Sequence, residues 1–299
     1  MNTKMTTHTK SLKISLLLMT TYILGCSTQN FNKKIETADV DLLKEESLMR
    51  YNTNRLEKME APEKDFISKS LLACHQKKFS KGLGLLEKEM NINKTNPFYW
   101  NALGTCYSLS KDFTKALFYY DLGLEALSMV NNQTKILAEG TLTNNIGLVH
   151  LNFKRHNEAF ESFKRSSELL PDFVTPQFNI AQLYIEFNNN AKALSILKKL
   201  EAKNPDDIDL LYSLSLIYFR NNDFDNSYIA IKRVKQDYLN RPDIVGLYAF
   251  NLMNKNKLAE AKDIIEKRLY ADEYNERNKI LLEEINLKLK EESKTRKQN

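Results

Sequence analysis

The sequence holds few of the residues that build catalytic and metal sites. Only four histidines, three cysteines and eight glycines occur among 299 residues. No group of His, Cys, Asp or Glu has a recognised metal spacing, no glycine-rich phosphate loop is present, and no nucleophile pairs with a base. We therefore predict that the protein has no cofactor, no metal ion and no catalytic residue, and that it is not an enzyme.

Strong charge of one sign and strand-like patterns are missing as well. The formal net charge is +6, with lysines and arginines scattered among acids and no basic stripe interleaved with aromatic residues. This distribution argues against a nucleic-acid partner. Alternation of Val, Ile and Thr over a useful length is also absent, so the chain is predicted to be all-α.

A 34-residue period runs from Phe66 towards the C-terminus. Small residues recur at one phase of this period and again twelve residues later. The two sets are Gly104, Gly147, Ala181, Ser215 and Ala249, then Ala116, Ala159, Ala193, Ser227 and Ala261. Bulky residues follow each set at fixed offsets, which describes helical hairpins whose two helices cross closely at the small side chains.

Part of this pattern carries a known signature. Trp100, Leu103, Gly104 and Tyr107, followed by Ala116 and Tyr120, resemble the tetratricopeptide repeat (TPR), and the next copy is similar. The resemblance implies a right-handed superhelix of about six helical hairpins, an α-solenoid with a capping helix at each end. The repeats are expected to start near Glu63, Pro97, Gly140, Val174, Ile208 and Pro242.

The second repeat has nine extra residues, around 128–136, which we expect to lengthen its second helix and the loop that follows. The whole chain then divides into six expected units. They are a signal peptide at 1–25, a flexible tether at 26–40, an N-terminal capping helix at 41–62, the repeats at 63–273, a C-terminal capping helix at 274–292 and a disordered tail at 293–299.

The N-terminus has three lysines ahead of an apolar run, Ile14 to Leu24, which is closed by Gly25 and Cys26. This order of charged, apolar and small residues is typical of a secretory signal peptide. Residues 23–26 also resemble the bacterial lipoprotein signal. That resemblance implies cleavage before Cys26, lipid on Cys26, and anchoring in the outer membrane facing the periplasm. An uncleaved anchor is the alternative, although the run is short for a span of about 20 residues.

Two further cysteines, Cys74 and Cys106, fall on the first helices of neighbouring repeats. They follow the small positions of their repeats by four and two residues. We therefore expect their side chains to point in different directions and to remain separate thiols. A disulfide, which an oxidising periplasm permits, is the alternative.

The concave face of the solenoid is expected to be formed by the first helix of each repeat. Its candidate peptide-binding residues are Asn101, Asn144, Phe178, Gln182, Tyr212, Phe219 and Phe250. Amide side chains both donate to and accept from a peptide backbone, and aromatic side chains anchor apolar groups of a partner. The alternative is that several of these aromatic residues pack against the next repeat.

Together these features predict a non-catalytic scaffold or adaptor, lipid-anchored in the bacterial envelope, whose groove binds peptide or helical segments of envelope proteins. The combination of a lipoprotein signal with six repeats resembles the TPR lipoproteins of type IV or Tad pilus biogenesis. That resemblance implies a role in pilus or secretin assembly. An adaptor or enzyme of cell-wall (murein) remodelling is the alternative.

Overall fold

A computed structural model describes residues 65–234, 241–269 and 276–298. Within these ranges the chain forms thirteen α-helices, one short 3-10 turn and no strand, which confirms the all-α prediction for the described residues. The helices are α1 (Phe66–His75), α2 (Phe79–Asn93), α3 (Pro97–Leu109), α4 (Phe113–Glu125), α5 (Asn132–Asn152), α6 (His156–Leu169), α7 (Val174–Glu186), α8 (Asn190–Lys203), α9 (Ile208–Arg220), α10 (Phe224–Lys232), α11 (Pro242–Asn254), α12 (Leu258–Leu269) and α13 (Glu276–Gln298). The predicted signal peptide, Cys26, the tether and the N-terminal capping helix lie outside the described residues.

The helices pair in sequence order into six hairpins, and each helix packs on the helices before and after it. Four predicted repeat starts, at residues 97, 174, 208 and 242, are the first residues of α3, α7, α9 and α11. Two of these residues are prolines, which begin a helix without losing a hydrogen bond because the first-turn N–H groups have no intrahelical acceptor. The result is an α-solenoid, in which the core continues from one hairpin to the next.

The small positions lie where the two helices of a hairpin touch. A Cβ added to Gly104 would be 2.3 Å from a ring carbon of Tyr120, and one added to Gly147 would be 2.6 Å from the ring of Phe163. In the fifth repeat the close crossing carries a hydrogen bond instead, with the Ser215 and Ser227 hydroxyl oxygens 3.0 Å apart. The spacing of small and bulky residues therefore predicted the hairpin contact correctly.

The nine extra residues take a different form from the one expected. α4 ends at Glu125, and a 3-10 turn, Ala126–Met129, follows it. α5 is then 21 residues long and begins at Asn132. The Asn131 side chain accepts a hydrogen bond from the Thr134 N–H at 2.9 Å, so a capping residue starts this helix well before residue 140. The surplus lengthens the first helix of the third repeat, and the prediction of a longer second helix in the second repeat was wrong.

The last helix, α13, covers the sixth hairpin. Leu281 and Ile285 lie in one apolar cluster with Val245 and Ile265 of that hairpin. The helix continues to Gln298, so residues 293–298 are helical and not the disordered tail that their polar composition suggested. Serine and threonine hydroxyls in this segment bond to carbonyl groups about one turn earlier, which is compatible with a solvated helix.

Candidate functional site

A cleft of about 410 Å³ lies between the first helices of three consecutive repeats, α5, α7 and α9. We call it the inner cleft. Its walls include Leu148, Leu151, Phe178, Gln182, Tyr212 and Ser213. The first helices bring these side chains together because they lie side by side in the solenoid, while the second helices cover their other face.

Three of the predicted peptide-binding residues line this cleft. Phe178 is 5% exposed and forms part of the floor, where it packs in a core cluster with residues of α7 to α9. Gln182 donates from Nε2 to the Ser213 hydroxyl at 2.8 Å, which leaves its carbonyl oxygen to accept from another group. Tyr212 is half-buried at the side. The cleft therefore offers an apolar floor next to amide and hydroxyl groups.

Asp209 is the acidic side chain near the floor of the inner cleft among the described lining residues, and an ion pair neutralises it. Asp209 Oδ1 lies 2.7 Å from Arg241 Nη1, and the two side chains are just 9% and 11% exposed. The Arg241 guanidinium also lies over the Tyr212 ring, 5.8 Å from its centroid. Sequence reasoning missed this pair, since the two residues are 32 positions apart. Its effect is a floor without net charge.

His156 stands at the rim of the inner cleft, at the start of α6. Its ring packs edge-on against the Phe187 ring with 5.2 Å between centroids. The buried Nδ1 atom has no hydrogen-bond partner. A buried polar atom without a partner costs about 1–3 kcal/mol.

Asn101 and Asn144 occupy a different environment from the open concave surface that was expected. They are 1% and 4% exposed, respectively. Their amides belong to a buried chain of hydrogen bonds, which we call the asparagine ladder. Asn179 donates to Asn144 at 3.0 Å, Asn144 to Asn145 at 3.1 Å, and Asn145 to Asn101 at 3.0 Å. The ladder joins three repeats through their first helices.

Phe219 and Phe250 lie outside the residues that line the inner cleft. Their rings contact each other edge-to-face with centroids 4.8 Å apart, and Phe219 also contacts Phe224. This is the alternative packing considered for the aromatic residues. Both remain half-buried at the junction of the fifth and sixth repeats.

Cys74 and Cys106 form a disulfide, with 5.3 Å between their Cα atoms. The expectation of separate thiols was wrong. Where no extra residues intervene, hydrogen-bonded side chains on neighbouring first helices are separated by 31 to 35 residues, and the cysteines are separated by 32. A side chain on one helix can contact residues on two successive turns of the next helix. Cys74 and Cys106 can therefore meet although they lie at different distances along the chain from the small residues of their repeats.

Comparison with known proteins identifies the repeat. Residues 151–217 match a family model described as the tetratricopeptide repeat. The chain therefore contains tetratricopeptide repeats and has the TPR fold. Two solved structures similar to this chain are PilF of Pseudomonas aeruginosa and PilW, a type IV pilus biogenesis factor. PilF has a TM-score of 0.60 at 12% identity, over 78% of this chain and 99% of PilF. PilW has a TM-score of 0.58 at 13% identity, over 73% of this chain and 96% of PilW.

Two further proteins share the fold or part of the sequence. A tetratricopeptide repeat protein from Parabacteroides merdae has a TM-score of 0.52 at 16% identity, over 82% of this chain and 98% of that chain. The human protein O-mannosyl-transferase TMTC3 is 24% identical over 215 residues, which are 72% of this chain and 20% of that protein. The chain thus spans about a fifth of the length of this curated relative.

Among the helices of residues 65–234, 241–269 and 276–298, none is both long enough and apolar enough to cross a membrane. No group of three His, Cys, Asp or Glu side chains in the same ranges is arranged to hold a metal ion.

Proposed function

We propose that this TPR protein is a non-catalytic scaffold that binds a peptide or helical segment of a partner protein in the inner cleft. The observation that carries the proposal is the meeting of Phe178, Gln182 and Tyr212 in one cleft between consecutive first helices. A chain segment can place an apolar side chain against Phe178 and Tyr212 while its backbone bonds to Gln182.

The charge of the cleft favours an uncharged apolar segment as the ligand. Asp209 is already paired with Arg241, so the floor offers no free charge to a partner. The rim carries one cation, Lys154, and one acid, Glu186. A lysine and arginine clamp for a C-terminal carboxylate is not present among the lining residues. Shape and amide hydrogen bonds would therefore determine specificity.

We further propose that the protein is anchored in the bacterial envelope by lipid on Cys26 and assists pilus or secretin assembly. The N-terminal pattern supports the anchor, and the fold shared with PilF and PilW along most of their length supports the pathway. A strain without the protein should lose secretin multimers, seen as detergent-resistant bands. Unchanged multimers in that strain would contradict the pilus assignment and leave the cleft proposal standing.

The cleft proposal is tested by a pair of matched substitutions. Leu151→Glu places a charge in the inner cleft, and Ile229→Glu makes the same kind of change on α10, where the side chain is 59% exposed. Partner proteins that co-purify with the wild-type chain should be lost from Leu151→Glu and kept by Ile229→Glu. Retention of every partner by a folded Leu151→Glu protein would overturn the proposal, and circular dichroism confirms that both variants fold.

A further inference from the structure

The six tight turns within the hairpins share one backbone conformation. Each places one residue in the left-handed region, with φ between 56° and 68°. These residues are Lys77, Lys111, Lys154, Asn188, Asn222 and Asn256. In every turn the N–H of the next residue bonds to a carbonyl five positions earlier, as from Lys78 to Ala73 at 2.8 Å. This is the Schellman end of a helix. Because every turn has the same place in its repeat, the six turns lie along one edge of the solenoid, which we call the turn edge.

The residue at the left-handed position divides the turn edge into two halves. The last three turns use asparagine, whose short polar side chain tolerates this conformation well. The first three turns use lysine, whose long side chain lacks the short polar group that helps asparagine to adopt this conformation. Backbone preference alone would favour asparagine at all six positions. The lysines in the first half therefore require another explanation.

Charge along the turn edge follows the same division. Five-residue windows that start at each left-handed residue hold seven basic and two acidic side chains in the first three repeats, at 77–81, 111–115 and 154–158. The last three windows hold two basic and three acidic side chains. Lys77, Lys111 and Lys154 are exposed, and none of them forms an ion pair within the described residues.

Aromatic side chains accompany these cations. Phe153 is 38% exposed immediately before Lys154, and the Arg155 guanidinium lies 5.1 Å from the centre of its ring. Phe187 is 59% exposed at the next turn. The three turn lysines are spread over three successive repeats, and Lys77 and Lys111 are not among the residues that line the inner cleft. A row of free cations with exposed rings suits a planar anionic surface, such as the headgroup layer of a bilayer.

We propose that the turn edge of the first three repeats binds the surface of a bilayer that contains anionic phospholipid. The solenoid would then lie with this edge against the membrane. The assignment depends neither on lipid at Cys26 nor on a ligand in the inner cleft. Lys154 belongs to both the turn edge and the rim of the cleft, so a partner in the cleft would be held close to the membrane.

The test uses a chain that begins at residue 27 and cannot carry the predicted lipid. This chain retains every described residue and hence every contact between described helices. It is sedimented with vesicles of phosphatidylcholine alone and with vesicles that also contain phosphatidylglycerol. We expect binding only to the anionic vesicles, and weaker binding at high salt because surface charges are screened.

The decisive variant is Lys77→Asn/Lys111→Asn/Lys154→Asn. Each basic residue near an anionic surface contributes roughly fivefold to partitioning, so the triple change should reduce binding about 100-fold. Its urea midpoint should not fall, because asparagine suits the left-handed position. The control, Lys88→Gln/Lys94→Gln/Lys135→Gln, removes the same charge from exposed sites of the same repeats away from the turns and should retain most of the binding.

The proposal is overturned if the wild-type chain binds neither kind of vesicle or both equally, if the turn variant binds like wild type, or if the control loses as much binding as the turn variant. Equal affinity for soluble poly-glutamate would assign the edge to an acidic polypeptide instead of a bilayer.

Discussion

Reduction of the Cys74–Cys106 disulfide should loosen the first repeat. The bond joins α1 to α3 across a sequence separation of 32 residues. Cross-linking a loop of this length lowers the entropy of the unfolded chain, which raises the free energy of unfolding by about 4 kcal/mol at room temperature. Both cysteine side chains are buried in the core. The reduced protein should therefore lose about this much stability locally.

The loss should be confined to one end of the solenoid. Each repeat contacts only its neighbours, so the stability of α1 and α2 depends on the bond more than that of α7 to α9 does. Hydrogen exchange measured by mass spectrometry should show faster exchange in residues 66–93 after reduction and unchanged exchange in α7 to α9. The variant Cys74→Ala/Cys106→Ala should reproduce this result without a reductant.

Two results would refute this reasoning. Alkylation of both cysteines in denatured, unreduced protein from an oxidising compartment would show that the bond does not form. Equal exchange of residues 66–93 before and after reduction would show that the bond forms but does not hold the first repeat in place.

Three further predictions concern the core. Gly104→Ala should lower the urea midpoint strongly because its Cβ would lie 2.3 Å from a tyrosine ring. Gly84→Ala should stabilise α2 by about 0.5–1 kcal/mol because its Cβ would meet nothing within 4 Å. Equal urea midpoints for the two variants would contradict both expectations. Asn145→Ala should cost about 2–3 kcal/mol because it leaves buried ladder amides unpaired, and the exposed Asn152→Ala should cost far less in the same urea titration. Burial lowers the pKa of His75 from 6.5 to about 4, so the folded state favours the neutral ring. The contribution of the neutral His75 ring to the free energy of unfolding should be fully present above pH 6.5. It should fall by about 3 kcal/mol as the pH decreases towards 4, and the variant His75→Leu should lack this part of the pH dependence.

The hairpins could be predicted because local spacing determines them. Small and bulky residues recur at fixed offsets, which indicates that Gly104 faces Tyr120 across the hairpin. Pro97 has no N–H group to donate, which favours the first turn of a helix for this residue. The same reasoning placed Gln182 and Tyr212 on neighbouring first helices, where they share one cleft.

Contacts between repeats were harder to predict because they depend on how one hairpin is rotated against the next. The disulfide and the burial of Asn101 and Asn144 in the asparagine ladder both depend on this rotation, which sequence periodicity does not specify. The turn edge was hidden for a related reason. Its lysines are scattered over some 80 residues of sequence, and only the stacking of the turns brings them onto one edge.

Binding of a partner segment in the inner cleft can be tested inside cells. The most direct measurement places a photoreactive residue at position 182, in the cleft, or at position 229, on α10, in the full-length protein inside cells. We expect crosslinks to a partner from position 182 that disappear with Leu151→Glu, and none from position 229. Equal crosslinking from both positions, or none from position 182, would contradict it.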